Sequence, residues 1–345
     1  MERAGSLASL PDDLTGSPPT ARAGDDALSA VLRTIRLSGT LQFCFMPRGD
    51  WQTDAAPSLA RLAGGRDGGA GGGRVVPFHI VADGRCWLRV GDARLELSAG
   101  DVIAFPFGTP HQLGCGAGGP TVTPVKDLPP KPWREIPVMR YGDGGTATRL
   151  LCGFLQFGSM AFRPLHDALP PVLLVRTASD PDAAWLRATL ERIVAEAEHA
   201  RPGGLSVLER LTEVTFIELL RHGIAGLAPG SVGWLAAMAD PRLGACLSAI
   251  HADPRRDWSL ADLSSVAGLS RSAVAERFAT VLATSPVRYV REWRLCLAGD
   301  ALRTTDRPIA DIAFEAGYGS EAAFSRAFAK AFDSPPAAWR NAASA

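Results

Sequence analysis

The chain has 345 residues, 46% of them hydrophobic, and its 36 basic residues equal its 36 acidic residues in number. That apolar content supports packed cores and excludes a wholly disordered protein, and the length fits two or three domains. Because these charges balance, the chain lacks the overall excess of basic residues by which many nucleic-acid-binding proteins are recognised.

The sequence contains no candidate membrane segment. No stretch approaches the roughly 18–20 consecutive apolar residues that a membrane-spanning helix needs, and the N-terminus carries acidic residues in place of the apolar core of a signal peptide. We therefore expect a cytoplasmic protein without a membrane partner. The six cysteines form no CxxC pair and are expected to be reduced in that compartment.

The first half of the chain has the pattern of a β domain. Residues 1–25 are rich in Ser, Pro, Gly and Asp and are predicted to be disordered, and a short helix follows them. Short apolar runs separated by glycines then lie between residues 41 and 125, and a further strand pair is expected at 149–158. Regularly spaced strands of this kind predict a small sandwich or barrel, which we assign to residues 26–178.

Two helices are predicted after the β domain. Apolar residues recur at helical spacing in residues 181–200 and 205–223, and Pro202 with the two glycines after it predicts a tight turn between them. This helical pair, residues 179–225, can pack on the β domain or form the contact between two subunits, and the sequence leaves both open. Residues 226–239 are predicted to be a linker.

The C-terminal residues 240–345 have the outline of a helix-turn-helix. Ser259 and Asp262 form a predicted capping box at the start of one helix, Gly268 ends that helix, and Ser270 begins a second one. Two helices joined by a turn that contains glycine, within about 25 residues, form this outline. This part of the chain carries 13 basic and 12 acidic residues, so its affinity for DNA must depend on where the arginines lie.

The same outline occurs a second time. Pro308 begins a helix that Gly317 ends, Ser320 begins the next one, and the apolar positions match the first copy at offsets of 49 before the turn and 50 after it. Residues 286–303 between the copies are predicted to form one helix of about 26 Å. That length is close to the roughly 34 Å between successive major-groove faces of a duplex, so two recognition helices can enter neighbouring grooves.

Three segments of this part resemble the AraC/XylS family of transcription regulators. They are ADLSSVAGLSRSAVAERF, SPVRYVREWRL and PIADIAFEAGYGSEAAFSRAFAKAF, and the resemblance extends over nearly all of residues 240–341. In that family the second helix of each copy reads bases. The resemblance implies DNA-facing positions at Arg271, Ser272, Ala275 and Glu276 in the first copy and at Ser320, Glu321, Ala322, Ser325 and Arg326 in the second. Arg271 and Arg326 are the side chains best suited to strong base contacts.

The β domain is similar to the cupin-type sensor domains of some AraC-type regulators. Residues 100–111 follow the spacing G-x5-P-x-G-x2-H of the second cupin motif, in which the final histidine, here His111, is a metal ligand that points into the barrel. In the first motif the expected glutamate position is Pro77, and the two histidine positions fall in the glycines at 71–73. Three of the four cupin ligands are therefore missing, which argues against a catalytic metal dioxygenase.

A non-standard metal site is one hypothesis for the barrel. His79 lies two residues beyond Pro77 and therefore on the same strand face. His79, His111 and Cys152 can converge inside the barrel as nitrogen and sulfur ligands, a set that suits zinc or another divalent metal. The alternative is that both histidines are satisfied core residues or line a small-molecule pocket.

Cysteine oxidation is the other hypothesis for a signal. The stretches around Cys44 and Cys152 resemble those of regulators that sense reactive chlorine or electrophiles through paired cysteines. A sensor thiol must be partly exposed and prone to lose its proton, and Arg48, four residues from Cys44, can lower the pKa of that thiol. The alternative is a pair of buried, inert thiols. Cys246 and Cys296 are predicted to be core residues.

Together these patterns predict a multidomain α+β protein with a cupin-like β-barrel, a helical pair and a C-terminal all-α double helix-turn-helix. We interpret it as a non-enzymatic, sequence-specific transcription regulator whose barrel senses a small molecule, a metal or an oxidant. A metal-dependent cupin enzyme fused to a DNA-binding domain is the alternative, and an architectural DNA binder without a signal is a third interpretation. The expected partners are double-stranded promoter DNA, the effector, a second copy of the chain in a homodimer, and RNA polymerase.

Overall fold

The computed structural model of this protein describes residues 26–344, with gaps at residue 36, residues 55–73, residue 131, residues 158–161 and residue 200. The predicted disorder of residues 1–25 concerns a segment outside the described residues. None of the described helices is both long enough and apolar enough to cross a lipid bilayer.

The strands form two sheets that face each other. They are β1 (Leu37–Pro47), β2 (Trp51–Asp54), β3 (Arg74–Asp83), β4 (Arg85–Val90), β5 (Ala93–Ser98), β6 (Asp101–Ala104), β7 (Gln112–Cys115), β8 (Thr121–Val122), β9 (Val138–Tyr141), β10 (Arg149–Phe157) and β11 (Leu173–Arg176). The first sheet has the order β11-β6-β3-β10-β1-β9 and the second the order β5-β4-β7-β2-β8. Apolar side chains from both sheets fill the space between them, which we call the sandwich interior. The predicted β domain is confirmed as a sandwich and not as a closed barrel.

The prediction of a strand pair at residues 149–158 was wrong, because β10 is a single strand that pairs with both β1 and β3. Both of its faces are buried: Leu150 faces the sandwich interior and Leu151 faces the helices. Gly153 lies within the strand. A Cβ at Gly153 would lie 2.5 Å from the Thr40 carbonyl oxygen of β1, so glycine allows the two strands to approach.

Four helices precede the C-terminal part, and the last two of them lie on the outer face of the first sheet. They are α1 (Ala27–Ile35), α2 (Arg163–Ala168), α3 (Ala184–Glu198) and α4 (Gly204–Ala225), and short 3-10 turns lie at Pro124–Lys126 and Pro181–Ala183. A Cβ at Gly39 of β1 would lie 2.6 Å from Thr212 Cβ of α4, so this glycine lets the helix lie directly on the strand. Of the two placements that the sequence left open for the helical pair, packing on the β domain is observed.

The remaining helices belong to the C-terminal part. They are α5 (Trp234–Ala239), α6 (Pro241–Ala252), α7 (Leu260–Ala267), α8 (Arg271–Leu282), α9 (Pro286–Thr304), α10 (Ile309–Glu315), α11 (Glu321–Phe332) and α12 (Pro336–Ser344). The capping box of Ser259 and Asp262 is present at the start of α7, as predicted. Residues 234–239 of the predicted linker instead form α5, because Trp234 is buried in the core.

The first helix-turn-helix unit shares a hydrophobic core with the β domain. One continuous cluster of buried side chains includes residues of α1, the first sheet, the helical pair and α5–α9. Within it, the Phe162 ring meets the rings of Trp234 and Trp293 edge-on, at centroid distances of 5.5 and 5.4 Å. The second unit, with α10–α12 and the end of α9, has a separate cluster.

Candidate nucleic-acid interface and sandwich interior

Each helix-turn-helix unit is built around a glycine that ends its first helix. Gly268 follows α7 at φ +62° and Gly317 lies beyond α10 at φ +84°, a left-handed conformation that L side chains rarely adopt. Ser270 and Ser320 then cap the second helices, and each hydroxyl accepts a hydrogen bond at 3.2 Å from the backbone N–H three residues later. Ser320, predicted to face DNA, is therefore also an N-cap.

Helices α8 and α11 expose the same pattern of positions. Val274 and Phe278 of α8 are buried, as are Phe324 and Phe328 at the equivalent positions of α11. The residues predicted to face DNA lie on the opposite, exposed or half-buried faces: Arg271, Ser272, Ala275, Glu276, Glu321, Ala322, Ser325 and Arg326. They thus share one surface of α8 and one surface of α11.

Most arginines of the C-terminal part make contacts within the chain. Arg242 donates to the Ala267 carbonyl at 2.9 Å, Arg288 lies 2.9 Å from Glu292, and further contacts hold Arg255, Arg256, Arg277, Arg294, Arg307 and Arg340. Arg271, Arg326 and, on α9, Arg291 differ, because none of them makes a hydrogen bond or an ion pair with the described part of the chain. Of these three, only Arg271 and Arg326 lie on α8 and α11.

The two exposed faces carry the same charges in opposite order. Arg271 and Glu276 in α8 occupy the positions that Glu321 and Arg326 occupy in α11. An arginine recognises guanine and a carboxylate accepts from cytosine in the major groove. The two helices are therefore alike in shape and differ in the order of their exposed charges.

Three polar side chains form a hydrogen-bonded chain in the sandwich interior. His79 of β3 lies opposite Cys152 of β10 in the strand register, with its Nδ1 3.2 Å from the Cys152 Sγ. Its Nε2 lies 2.8 Å from Nε2 of His111, and His111 Nδ1 lies 2.7 Å from the Thr109 carbonyl oxygen. The three residues that were expected to converge are close together.

The carbonyl at one end fixes the direction of every hydrogen bond in this chain. The Thr109 oxygen can only accept, so neutral His111 carries its proton on Nδ1 and accepts at Nε2. His79 then donates from Nε2 and accepts at Nδ1, and Cys152 donates its S–H.

Burial keeps all three groups uncharged at neutral pH. It lowers the pKa of His79 well below its usual value, helped by the neighbouring His111, and lowers the pKa of His111 to about 4. It also raises the pKa of the Cys152 thiol well above its usual value. The hydrogen-bonded chain therefore consists of two imidazoles and a thiol.

This arrangement differs from the predicted three-ligand metal site. The Cys152 sulfur and the His111 nitrogen lie at opposite sides of the His79 ring, so the three donor atoms are not directed at one point. Among the described residues, no three His, Cys, Asp or Glu side chains are grouped as a metal site requires. In this geometry Cys152 is a hydrogen-bond partner of His79 and not a third ligand.

The two candidate sensor cysteines lie on opposite faces of the first sheet. Cys44 packs in the core between the sheet and the helices, and Cys152 packs in the sandwich interior. Burial raises the pKa of Cys44 to about 11, so the expected lowering by Arg48 is wrong; Arg48 donates instead to the Gly145 carbonyl at 3.4 Å. Both cysteines are buried thiols in this state. Cys246 and Cys296 are core residues, as predicted.

Sequence reasoning missed the immediate surroundings of His111. The Phe105 ring stacks on the His111 ring, with centroids 3.6 Å apart and planes 7° from parallel, and the Thr109 carbonyl accepts a hydrogen bond from His111 Nδ1. Both residues lie inside the cupin-like motif that ends at His111, so the motif contained a signal for them. Asp54, whose negative charge raises the pKa of His111 against the effect of burial, carries no such signal.

Comparison with known protein families gives two matches. A family described as a cupin matches residues 26–225, and a family described as a helix-turn-helix domain matches residues 263–342. The cupin match covers more than half of the chain and includes His79, His111 and Cys152. The helix-turn-helix match includes both α8 and α11.

Relatives that match most of this chain are regulators. A putative AraC-like transcription regulator of Streptomyces lividans is 33% identical over 269 residues, which are 77% of this chain and 87% of that protein. The HTH-type transcriptional regulator AlkR of Acinetobacter baylyi is 27% identical, over 91% of this chain and 99% of AlkR. The RCS-specific HTH-type transcriptional activator RclR of Escherichia coli is 25% identical, over 91% of this chain and 97% of RclR. The chain therefore belongs to the AraC family of transcription regulators, with a cupin domain followed by a helix-turn-helix DNA-binding domain.

Proposed function

We propose that this regulator binds promoter DNA sequence-specifically by placing α8 and α11 in neighbouring major grooves. The supporting observation is that Arg271 and Arg326 are exposed on the second helix of each unit and have no partner in the described chain, while most arginines of the C-terminal part are engaged. The fold does not need these two guanidinium groups, and each matches the two acceptors that guanine presents in the major groove. A nearly neutral domain that concentrates its contacts in a few arginines is consistent with selective binding.

The other exposed residues add to the specificity of each helix. Glu276 and Glu321 accept a hydrogen bond from cytosine, and Ala275 and Ala322 offer a methyl contact to thymine. Because the charges run in opposite order along α8 and α11, the two half-sites differ in sequence. One copy of the protein therefore has a defined orientation on its site.

Selection of bound fragments from a random duplex library tests this proposal. The full-length protein should select a site of two different boxes whose centres lie about one helical turn, roughly 10–10.5 base pairs, apart. The assignment fails if the protein retains random DNA and no sequence is enriched.

We infer further that the signal acts in the sandwich interior and is a small molecule, a divalent metal such as zinc, or an oxidant. The hydrogen-bonded chain of Cys152, His79 and His111 supports this inference, because apolar groups of the same shape can replace both partners of a buried hydrogen bond at little cost in stability. His111 has the tautomer of a metal ligand, since its Nδ1 donates to a backbone carbonyl. Its Nε2 lone pair, which here accepts from His79, is the one that would bind a metal. His79 would offer a second nitrogen in its other neutral tautomer, with the proton on Nδ1 and the Cys152 sulfur as its acceptor. The raised pKa of Cys152 argues against oxidation, since the thiolate is the reactive form.

Binding assays on the selected site separate the three signals. A change in affinity that follows zinc or a chelator, and that His111→Gln abolishes, identifies a metal. A change that follows a mild oxidant, and that Cys152→Ala abolishes while Cys44→Ala does not, identifies a thiol switch. The inference of a metal or oxidant signal fails if neither treatment changes the affinity, and an organic ligand is then indicated.

A metal-dependent cupin enzyme is the second candidate function. The relatives are regulators, which favours a protein without catalysis. Metal analysis of the purified chain tests the alternative, because stoichiometric iron together with turnover would support an enzyme.

We also infer that the regulator acts as a homodimer. Trp185, at the start of α3, has a 65% exposed side chain, and large exposed apolar groups often lie at protein–protein contacts. Light scattering of the wild type and of Trp185→Ala tests this, since the variant should be monomeric at concentrations where the wild type is dimeric. A contact with RNA polymerase stays a prediction, to be checked by transcription from the selected site.

A further inference from the structure

Arg294 of α9 contacts both helix-turn-helix units. Its Nε donates to the Pro254 carbonyl at 2.6 Å, and its Nη2 donates to the carbonyls of Arg255 and Arg256 at 3.2 and 3.0 Å. These carbonyls belong to the loop between α6 and α7 of the first unit. Arg294 Nη1 also reaches the turn of the second unit, where a Cβ at Gly317 would lie 2.7 Å from it. This one side chain, only 16% exposed, thus holds the loop between α6 and α7 by hydrogen bonds and lies against the Gly317 turn of the second unit.

An ion pair joins the same two places. Arg255 Nη2 in the first unit lies 2.6 Å from Glu315 Oε1 at the end of α10, and Arg307, which precedes α10, lies 2.9 Å from Glu315 Oε2. The hydrogen bond from Arg307, together with the positive charges of both arginines, holds the pKa of Glu315 below its usual value. Glu315 therefore stays charged at neutral pH. An exposed ion pair alone contributes little to stability, but here it supports the contacts of Arg294.

Apolar packing between the units is incomplete at this point. A cleft of about 210 Å³ lies between them, lined by Leu297, Ala298 and Ala301 of α9 and by Ile312 of α10, with Arg294 and Glu315 at its polar side. The cores of the two units are also separate clusters. The polar contacts, more than close packing, therefore hold the loop of the first unit against α10.

The first unit contains a matched arginine that makes no such bridge. Arg242 of α6 donates to the Ala267 carbonyl at 2.9 Å, and a Cβ at Gly268 would lie 2.8 Å from its Nη1. The Arg242 guanidinium group packs against Gly268 in the same way as the Arg294 guanidinium group packs against Gly317. All of its partners here lie within the first unit, so Arg242 supports a turn without joining the units.

We propose that Arg294 and Glu315 are positioning residues that fix the angle between α8 and α11 and thereby the number of base pairs between the two half-sites. One added base pair moves a half-site by about 3.4 Å along the duplex and turns it by about 35° around the axis. Two recognition helices at a fixed angle cannot follow that movement. The proposal rests on the proposed function, in which both helices enter the major groove.

The test uses the full-length protein and duplexes that carry the selected two-box site with its own separation or with one base pair inserted. The wild type should bind the longer site about tenfold or more weakly, since losing even one base contact has about this effect. We define the spacing ratio as the affinity for the site with its own separation divided by the affinity for the longer site. In Arg294→Met and Glu315→Gln this ratio should fall to about threefold or less, while the sequence of each box is still recognised. The control variants Arg242→Met and Arg307→Gln should keep the wild-type ratio.

Each other outcome has a defined meaning. The proposal is overturned if Arg294→Met and Glu315→Gln both keep the wild-type ratio, or if Arg242→Met lowers it equally. Thermal melts check folding, and Glu315→Gln, at a half-exposed position, decides the question if Arg294→Met does not fold. If the wild type selects no two-box site, the proposed function itself is overturned. That result differs from one in which the variants bind a two-box site and keep the wild-type preference for its spacing, which overturns only the present proposal.

Discussion

The Thr34 hydroxyl oxygen lies 3.9 Å from the Cys296 sulfur, although 262 positions separate the two residues in the chain. Thr34 belongs to α1 at the start of the cupin domain, and Cys296 belongs to α9, which connects the two helix-turn-helix units. Both are buried in the core that the cupin domain shares with the first unit. The first unit is thus anchored on the cupin domain, and the second is anchored on the first.

A DNA-binding fragment that begins at Asp240 should be less stable than one that begins at Val232. The longer fragment keeps Trp234, which is 1% exposed and donates a hydrogen bond to the Tyr289 hydroxyl at 2.8 Å. Removing a buried tryptophan typically costs about 3–5 kcal/mol. Urea unfolding of the two fragments measures the difference, and equal midpoints would show that α5 does not contribute to this unit.

Arg326→Ala and Arg271→Ala should each weaken binding to the selected site by about 1–3 kcal/mol. Each variant should also lose discrimination at one position of its own half-site, because the arginine reads a base and is not needed for folding. Arg288→Ala is the control, since Arg288 is exposed and paired with Glu292 on α9. Affinities for single-base variants of the site check this. A uniform loss across all sequences would assign the arginines to phosphate contacts instead.

Stability should fall as the pH drops from about 7 towards 4, in part because of His251. Its Nε2 lies 2.7 Å from the Tyr289 hydroxyl, its ring stacks on Trp293 at 4.0 Å, and burial lowers its pKa to about 3. The unfolded histidine has a pKa of about 6.5. Between these pKa values the unfolded chain binds a proton that the folded chain does not. The stabilisation that neutral His251 gives to the folded state is therefore complete above about pH 7 and decreases below it.

Thermal melts between pH 7.5 and pH 5 check the role of His251. Replacing it by glutamine should make the melting temperature depend less on pH. His251 accounts for up to about 1.4 kcal/mol of unfolding free energy for each pH unit in this range. His199→Gln, at an exposed position, should keep the wild-type slope. Identical slopes in both variants and the wild type would contradict this account.

Gly39→Ala should destabilise the cupin domain by about 1–3 kcal/mol, the usual effect of overpacking. The new methyl group would lie 2.6 Å from Thr212 Cβ, so α4 would have to move away from β1. Gly144→Ala is the matched control, because a Cβ there meets nothing within 4 Å. Melting temperatures of both variants give the comparison, and a neutral Gly39→Ala would mean that α4 shifts at little cost.

The helix-turn-helix units were predictable because their signals are local. The capping box at Ser259 and the left-handed glycines 268 and 317 lie within a few residues of the helices that they delimit. Helix α5 was missed because six residues are too few for a helical period to appear in the sequence. Its burial depends on Phe162 and Tyr289, which are distant in the chain.

The sandwich interior was predictable only in part. His79 and Cys152 face each other because of the register between β3 and β10, and no local pattern fixes a register between distant strands. The face on which Cys44 lies depends in addition on an irregularity in β1 between Leu41 and Phe43, which changes the alternation along that strand. For the same reason the engaged arginines could not be told from the free ones, since partners such as Arg255 and Glu315 are 60 positions apart.

The separate core of the second unit bears on how such a regulator acquires new targets. Residues 305–344 can be replaced by those of another family member without disturbing the side chains that the cupin domain needs, provided that Leu295, Ala298 and Leu302 of α9 are kept. Substitutions in the first unit have no such freedom, because its apolar residues also support the cupin domain. The half-site bound by α11 should therefore diverge among close relatives faster than the half-site bound by α8.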